Sequence, residues 1–186
     1  MKRLSLATLL MAIAVLGTVM VLHQSAVRAE PDSDPVEAGD TADRAAVERT
    51  RRKVHTLDSI YKHTIALITD KYVHDVTDFP AGSAAVALFA NISAEGSHHV
   101  RLIDVTGAPY VPRNVARDSF EKEGVQRLRA GAEYHEQIVH QDGKPHLRAL
   151  TAVPVVMDKC VMCHPHYADA AEGEAIGAIS YIVPID

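Results

Sequence analysis

Apolar positions recur along this chain with different periods, and each period predicts a different kind of segment. Residues 4–22 are apolar with few interruptions, a run of 19 residues that contains no charge. Between Arg44 and Tyr72 the apolar side chains instead return every seven residues, at Val47, Val54, Tyr61 and Ile68. Because a helix turns once in about 3.6 residues, this spacing places them on one face and predicts a long amphipathic helix.

Shorter segments follow this helix. Further helices are predicted over Ser83–Ala94 and Ser119–Arg129. Alternating apolar residues predict four strands, at Val100–Val105, Tyr134–Val139, Leu147–Val156 and Ala175–Ile185. The pair Asp142-Gly143, between the second and third strands, favours a tight hairpin turn. A long helix, shorter helices and mostly antiparallel strands predict an α+β fold.

The apolar run at the start has the features of an export signal. Lys2 and Arg3 precede it, and Val27-Arg28-Ala29 follows it with small or apolar residues where a signal peptidase cleaves. Its length exceeds the usual core of a signal peptide and approaches the roughly 20 residues that span a bilayer. We therefore expect residues 1–29 to be a cleaved signal peptide or, as the alternative, an uncleaved N-terminal membrane anchor.

Two segments are expected after this leader. Residues 30–43 contain six acids, two prolines and one glycine, which predicts a flexible acidic linker. Residues 44–186 are long enough to bury a core and are expected to form one domain. The whole chain has 19 Lys and Arg against 24 Asp and Glu, and loss of the three cations in residues 1–29 leaves a net charge of −8. Such an acidic chain is not expected to bind nucleic acid through a basic patch.

Both cysteines of the chain lie in one motif, Cys160-Val-Met-Cys163-His164. This is the CxxCH signature of c-type haem attachment, in which two thiols bind one porphyrin and the histidine binds the iron as its proximal ligand. A disulfide or thioredoxin-like dithiol also uses CxxC but gives no role to the histidine, and a zinc site needs further ligands from scattered histidines. The motif and the export signal together predict one covalently attached haem c.

Several stretches outside the motif resemble a known family. They are, in chain order, Gly107–Asn114, Phe120-Glu121, Asp142–Lys144, Leu147–Ala149, Pro154–Val156 and Gly177–Pro184. With the CxxCH motif, this order over residues 45–186 is similar to that of the periplasmic c-type haem proteins with a PAS-like haem domain. The resemblance implies a PAS-like antiparallel sheet with packed helices and a redox or sensory role. It also implies a periplasmic location and haem attachment by the cytochrome c maturation machinery.

The sixth iron ligand is where this chain departs from the family pattern. Some relatives use a further cysteine on the distal side, and this chain has no third cysteine. His63 and His55, on the long helix, are the distal candidates that we favour, although His63 lies about 200° from Tyr61 around the helix. Met157 and Met162 more simply fill the core. An open sixth position is the remaining alternative.

Arg113 is the first candidate for a contact to the haem propionates, and Arg148 is the second. An arginine beside a propionate gains a charge-assisted hydrogen bond, and Arg113 belongs to the Pro-Arg-Asn loop of the resemblance. The alternative is that Arg113 braces this loop against Glu121 or Glu123.

Two classes of function remain. An electron carrier would dock a basic redox partner, whose identity is unknown, on its acidic surface. A haem-based redox or gas sensor would use an open or labile sixth position and would signal through a separate partner. We expect electron transfer first, with sensing as the alternative. We expect no enzymatic activity, because no distal acid–base pair for a peroxidase can be assigned, and we expect membrane contact only through the possible anchor.

Overall fold

The long amphipathic helix is present in the computed structural model, which describes residues 38–186 and the side chains of residues 43–186 other than that of Cys163. This helix, α1, spans Ala38–Tyr72. It begins six residues before the expected start, within the predicted linker, where alanine recurs at positions 38, 42, 45 and 46 and favours helix. The predicted leader and residues 30–37 of the linker lie outside the described residues.

The remaining elements follow the predicted order. They are α2 (Ala81–Glu95), β1 (His99–Asp104), α3 (Ser119–Arg129), β2 (Tyr134–Gln141), β3 (Lys144–Pro154), α4 (Asp158–Cys163), a 3₁₀ helix (Pro165–Asp169) and β4 (Ala175–Pro184). The predicted α+β fold is therefore confirmed. Between residues 38 and 186, no helix combines the length and the apolar character needed to cross a bilayer.

The four strands form one antiparallel sheet in the order β1-β4-β3-β2. β2 and β3 form the predicted hairpin, in which Gln141 pairs with Lys144. The two turn residues, Asp142 and Gly143, have φ values of 51° and 74°. Positive φ at both positions is the requirement of the turn that matches the twist of a hairpin, and Asp-Gly meets it.

Helices cover both faces of the sheet, so the domain has two buried clusters. α1 and α2 pack on one face, around Val54, Tyr61, Phe89, Leu147 and Tyr181. α3 packs on the other face, around Ile103, Phe120, Leu128, Leu150 and Ala178. Successive residues of one strand belong to different clusters, because their side chains point to opposite faces of the sheet. Val54 and Tyr61 confirm the predicted buried stripe of α1.

Asp58 fixes α1 on the sheet. Its carboxylate accepts hydrogen bonds from the hydroxyls of Thr151 on β3 (2.6 Å) and Tyr181 on β4 (3.0 Å). Lys62, one turn later in α1, pairs with the same carboxylate at 2.8 Å. Burial, followed by the neighbouring Asp58 charge, raises the pKa of Tyr181, which therefore stays a phenol and a donor. These contacts determine where the second half of α1 lies relative to the end of β3.

Candidate functional site

The CxxCH motif forms a short helix between β3 and β4. α4 begins after Met157, whose carbonyl accepts from the Cys160 N–H at 3.0 Å. Cys160 and Cys163 are one turn apart in this helix, and the Cys160 thiol is free and half-buried. The helix ends at His164 because Pro165 follows, and a residue before proline is disfavoured in helical conformation.

The imidazole of His164 lies among other rings. Tyr167 stacks on it with a centroid distance of 4.6 Å and an interplanar angle of 14°. Tyr110, from the loop between β1 and α3, meets it edge-on at 4.4 Å and 77°. His166 lies 5.8 Å away and also contacts Tyr110. These contacts fix the plane of the His164 ring.

The surroundings of His164 favour its neutral form. Burial, and secondly the nearby His166, lower the pKa of His164, while Asp104 acts in the opposite direction. The Nδ1 atom of His164 is buried and has no hydrogen-bond partner. Burial likewise raises the pKa of Tyr167 to about 12, so this neighbour stays uncharged at neutral pH. A neutral imidazole is the form of histidine that binds metal ions.

Large apolar side chains are exposed in the chain segments that lead into α4 and out of α1. The Lys159 ammonium donates to the Asp70 carbonyl oxygen at 2.6 Å, which joins α4 to the last turn of α1. Close to these two residues in the chain, Tyr72 is 74% exposed, Phe79 68% and Val156 60%. A porphyrin is a large apolar group and needs apolar walls. A half-buried thiol, a histidine in its neutral form and exposed apolar side chains are features that fit a haem.

The two histidines predicted as distal ligands contact residues outside the His164 ring cluster, and their role as iron ligands stays a prediction. His55 is exposed and stacks on Tyr134 of β2 at 5.1 Å. His63 is exposed, and its Nδ1 lies 2.7 Å from the Ser59 carbonyl oxygen, one turn earlier in α1. The rings grouped around His164 are instead Tyr110, His166 and Tyr167.

The contacts of Arg113 and Arg148 to the haem propionates stay predictions, and the structure gives each residue other neighbours. Arg113 is exposed and lines a cavity next to β1. Arg148 covers the ring of Phe120 at 4.4 Å and pairs with Asp118 at 2.9 Å. The structure thus places Arg148 in a salt bridge on the α3 face of the sheet.

Arg101 is the residue of this region that sequence reasoning missed. It pairs with Glu121 at 2.6 Å and donates to the carbonyl oxygens of Arg113 (3.1 Å) and Val115 (2.9 Å). The alternative that Arg113 braces the loop is wrong, because Arg101 holds Glu121 and Arg127 holds Glu123. A charged residue within an apolar strand was the signal that could have revealed Arg101.

The described part of the chain does not include the Cys163 side chain and so does not test the zinc alternative. No three His, Cys, Asp or Glu side chains gather there as a metal site would require. The described histidines are instead distributed over α1, the loop after it, the start of β1, the hairpin and the segment after α4.

Fold and site together define a class: an α+β domain whose four-stranded antiparallel sheet carries a CxxCH helix between its third and fourth strands. The profile of the Tll0287-like family matches residues 37–184, and the chain therefore belongs to this family. A similar solved structure is the crystal structure of the cyanobacterial heme-protein Tll0287. Its TM-score is 0.52 at 12% identity, over 73% of this chain and 95% of that chain.

At this identity the likeness shows a shared fold, which is consistent with the PAS-like arrangement expected from the sequence. No curated protein matches this chain in sequence. The comparisons thus support one part of the expected resemblance, namely that the chain belongs to a family with a haem protein among its members.

Proposed function

We propose that this chain is an exported mono-haem c-type cytochrome that acts in electron transfer. Cys160 and Cys163 would hold the haem through thioether bonds, and His164 would bind the iron. The observation that carries the proposal is the state of His164, which directly follows the helix that contains the free Cys160 thiol. Its pKa is lowered, and the rings of Tyr110 and Tyr167 contact its imidazole. The similar solved structure is that of a heme-protein, which adds to this support.

Each residue of the site has a physical role in this proposal. Haem, when bound, supplies one-electron exchange at its iron. Tyr110 and Tyr167 hold the His164 ring in one orientation, so the ligand loses little entropy on binding the iron. The uncovered apolar side chains near α4 would exclude water from the group. Attachment would take place in the periplasm through the cytochrome c maturation machinery, and the acidic chain would dock a basic redox partner.

Covalent attachment is tested by extraction. We expect the protein, exported together with the maturation machinery, to keep its haem in acidified acetone, because thioether bonds survive this treatment. The Cys160→Ala, Cys163→Ala double variant should lose it, whereas Met162→Leu, a change inside the same motif, should keep it. Haem that leaves the unmodified protein, or stays in the double variant, would refute the attachment.

Sensing is the second candidate, and one observation favours it. His55 stacks on Tyr134 and His63 lies against Ser59, and neither ring is among those that contact His164. If neither histidine bound the iron, the sixth position would be open or weakly held, as a gas or redox sensor requires.

Carbon monoxide separates the two candidates. A weak or absent sixth ligand is displaceable, and we expect the reduced protein to bind carbon monoxide at least in part, seen as a shift of its Soret band. Binding that is unchanged in His55→Ala and His63→Ala would favour a sensor. A reduced spectrum that carbon monoxide leaves unaltered would mean a strong sixth ligand and would favour the electron carrier.

A further inference from the structure

A cavity lies at the β1 edge of the sheet, away from the CxxCH helix. Its volume is about 570 Å³, within the roughly 300–1,000 Å³ of small-molecule sites. Residues of α2, of β1 and of the loop between β1 and α3 line it. None of the rings around His164 and no residue of α4 is part of this lining.

The lining carries more positive than negative charge. It includes Arg101, Arg113 and Arg117 but only one acid, Glu121. Glu121 is already satisfied, because it accepts from Arg101 (2.6 Å), from the Arg117 N–H (2.8 Å) and from the Ser180 hydroxyl (3.0 Å). Among the described residues, no carboxylate lies within ion-pair distance of the Arg113 or Arg117 guanidinium. Arg113 and Arg117 thus both line one cavity, and neither guanidinium is paired with an anion of the described residues.

The backbone that carries these two arginines is fixed in advance. Arg101 binds the carbonyl oxygens of Arg113 and Val115. The Asp104 N–H donates to the Asn114 carbonyl oxygen at 2.7 Å, which ties the loop to the end of β1. A preorganised loop loses less conformational entropy when a ligand binds.

The rest of the lining sets the character of the ligand. Val86, Leu102 and Ile182 present half-buried apolar surface to the same cavity. We propose that the cavity binds a small organic carboxylate, with its anionic end on Arg113 and Arg117 and its hydrocarbon part on these three residues. The planar guanidinium fork matches a carboxylate in two parallel hydrogen bonds. This site does not depend on haem.

Calorimetric titration of the purified haem-loaded protein with hexanoate tests the proposal. Hexylamine has a similar hydrocarbon chain with the opposite charge, and acetate has the same charge without most of the chain. We expect hexanoate to bind and hexylamine not to bind. Acetate and inorganic phosphate should bind at least about tenfold more weakly, since each buried methylene adds to affinity.

Variants assign the binding to the cavity. The Arg113→Gln, Arg117→Gln double variant should weaken hexanoate binding about tenfold or more, because two charge-assisted hydrogen bonds are lost. Arg52→Gln is the matched control, since Arg52 is an exposed arginine of α1, and it should bind as the unmodified protein does. Val86→Gln keeps both arginines and should weaken hexanoate but not acetate.

Several results would overturn the proposal. They are absent hexanoate binding, equal binding of hexylamine, phosphate binding as tight as hexanoate, or an equal loss in Arg52→Gln. If the double variant changes the Soret band while hexanoate still binds, the two arginines serve a haem propionate. The carboxylate site would then be refuted while the haem proposal stands.

Discussion

Replacing His164 with alanine is expected to leave haem attached to the chain and to change its visible spectrum strongly. The thioethers would come from Cys160 and Cys163, which this variant retains, whereas the proposed iron ligand is removed. Tyr110 and Tyr167 offer phenols rather than an imidazole at this place, and burial raises the pKa of Tyr167 to about 12, so it is a poor substitute at neutral pH. The measurement is the position of the Soret band in oxidised and reduced protein.

His166→Ala is the matched control for this variant. His166 belongs to the same ring cluster but is exposed and stands two residues beyond the motif. Its removal should leave the Soret band close to that of the unmodified protein. An unchanged band in His164→Ala would show that another residue holds the iron, and an equal shift in both variants would show that the whole cluster, rather than one ligand, determines the spectrum.

Replacing Glu121 with alanine is expected to lower the free energy of unfolding by about 3–5 kcal/mol, the usual cost of removing one partner from a buried ion pair. Glu121 is 3% exposed and accepts three hydrogen bonds. Its loss leaves the Arg101 guanidinium without an anion and the Ser180 hydroxyl without its acceptor. Denaturant unfolding followed by circular dichroism measures the effect.

Glu123→Ala is the control on the same helix. Glu123 pairs with Arg127 one turn later, with both side chains more than half exposed. Solvent screens such a pair, so its removal should leave the unfolding free energy almost unchanged. A Glu121→Ala variant as stable as Glu123→Ala would mean that Arg101 and Ser180 find other partners, and that the loop between β1 and α3 is held without this carboxylate.

Local chemistry explains which parts of the fold were predictable. Asp142-Gly143 required only its own backbone preferences to form the hairpin turn, and the seven-residue spacing required only helix geometry to bury Val54 and Tyr61. The order of strands was not predictable in this way. β1 pairs with β4, which comes from the other end of the domain. No local sequence pattern indicates which distant strand will pair with a given strand.

The same distinction applies to the candidate site. The spacing of Cys160, Cys163 and His164 is local and is present in the structure as a helix followed by a histidine. The partner of Glu121 depended on which face of β1 points to α3. Arg101 stands opposite Ser180 in the register and reaches Glu121 from there, whereas the sequence had suggested only Arg113 as a partner, and only as an alternative.

The loop between β1 and α3 contributes one residue to the His164 ring cluster and another to the cavity beside β1. Tyr110 contacts His164, and Arg113, three residues later, lines the cavity beside β1. Pro109 and Pro112 restrict the backbone between and beside them. If a ligand in the cavity displaces Tyr110, thermodynamic linkage makes the coupling reciprocal. The factor by which the ligand changed the electron affinity of a haem iron held by His164 would then equal the factor by which reduction changed the affinity for the ligand. An equilibrium measured at either place would report on both.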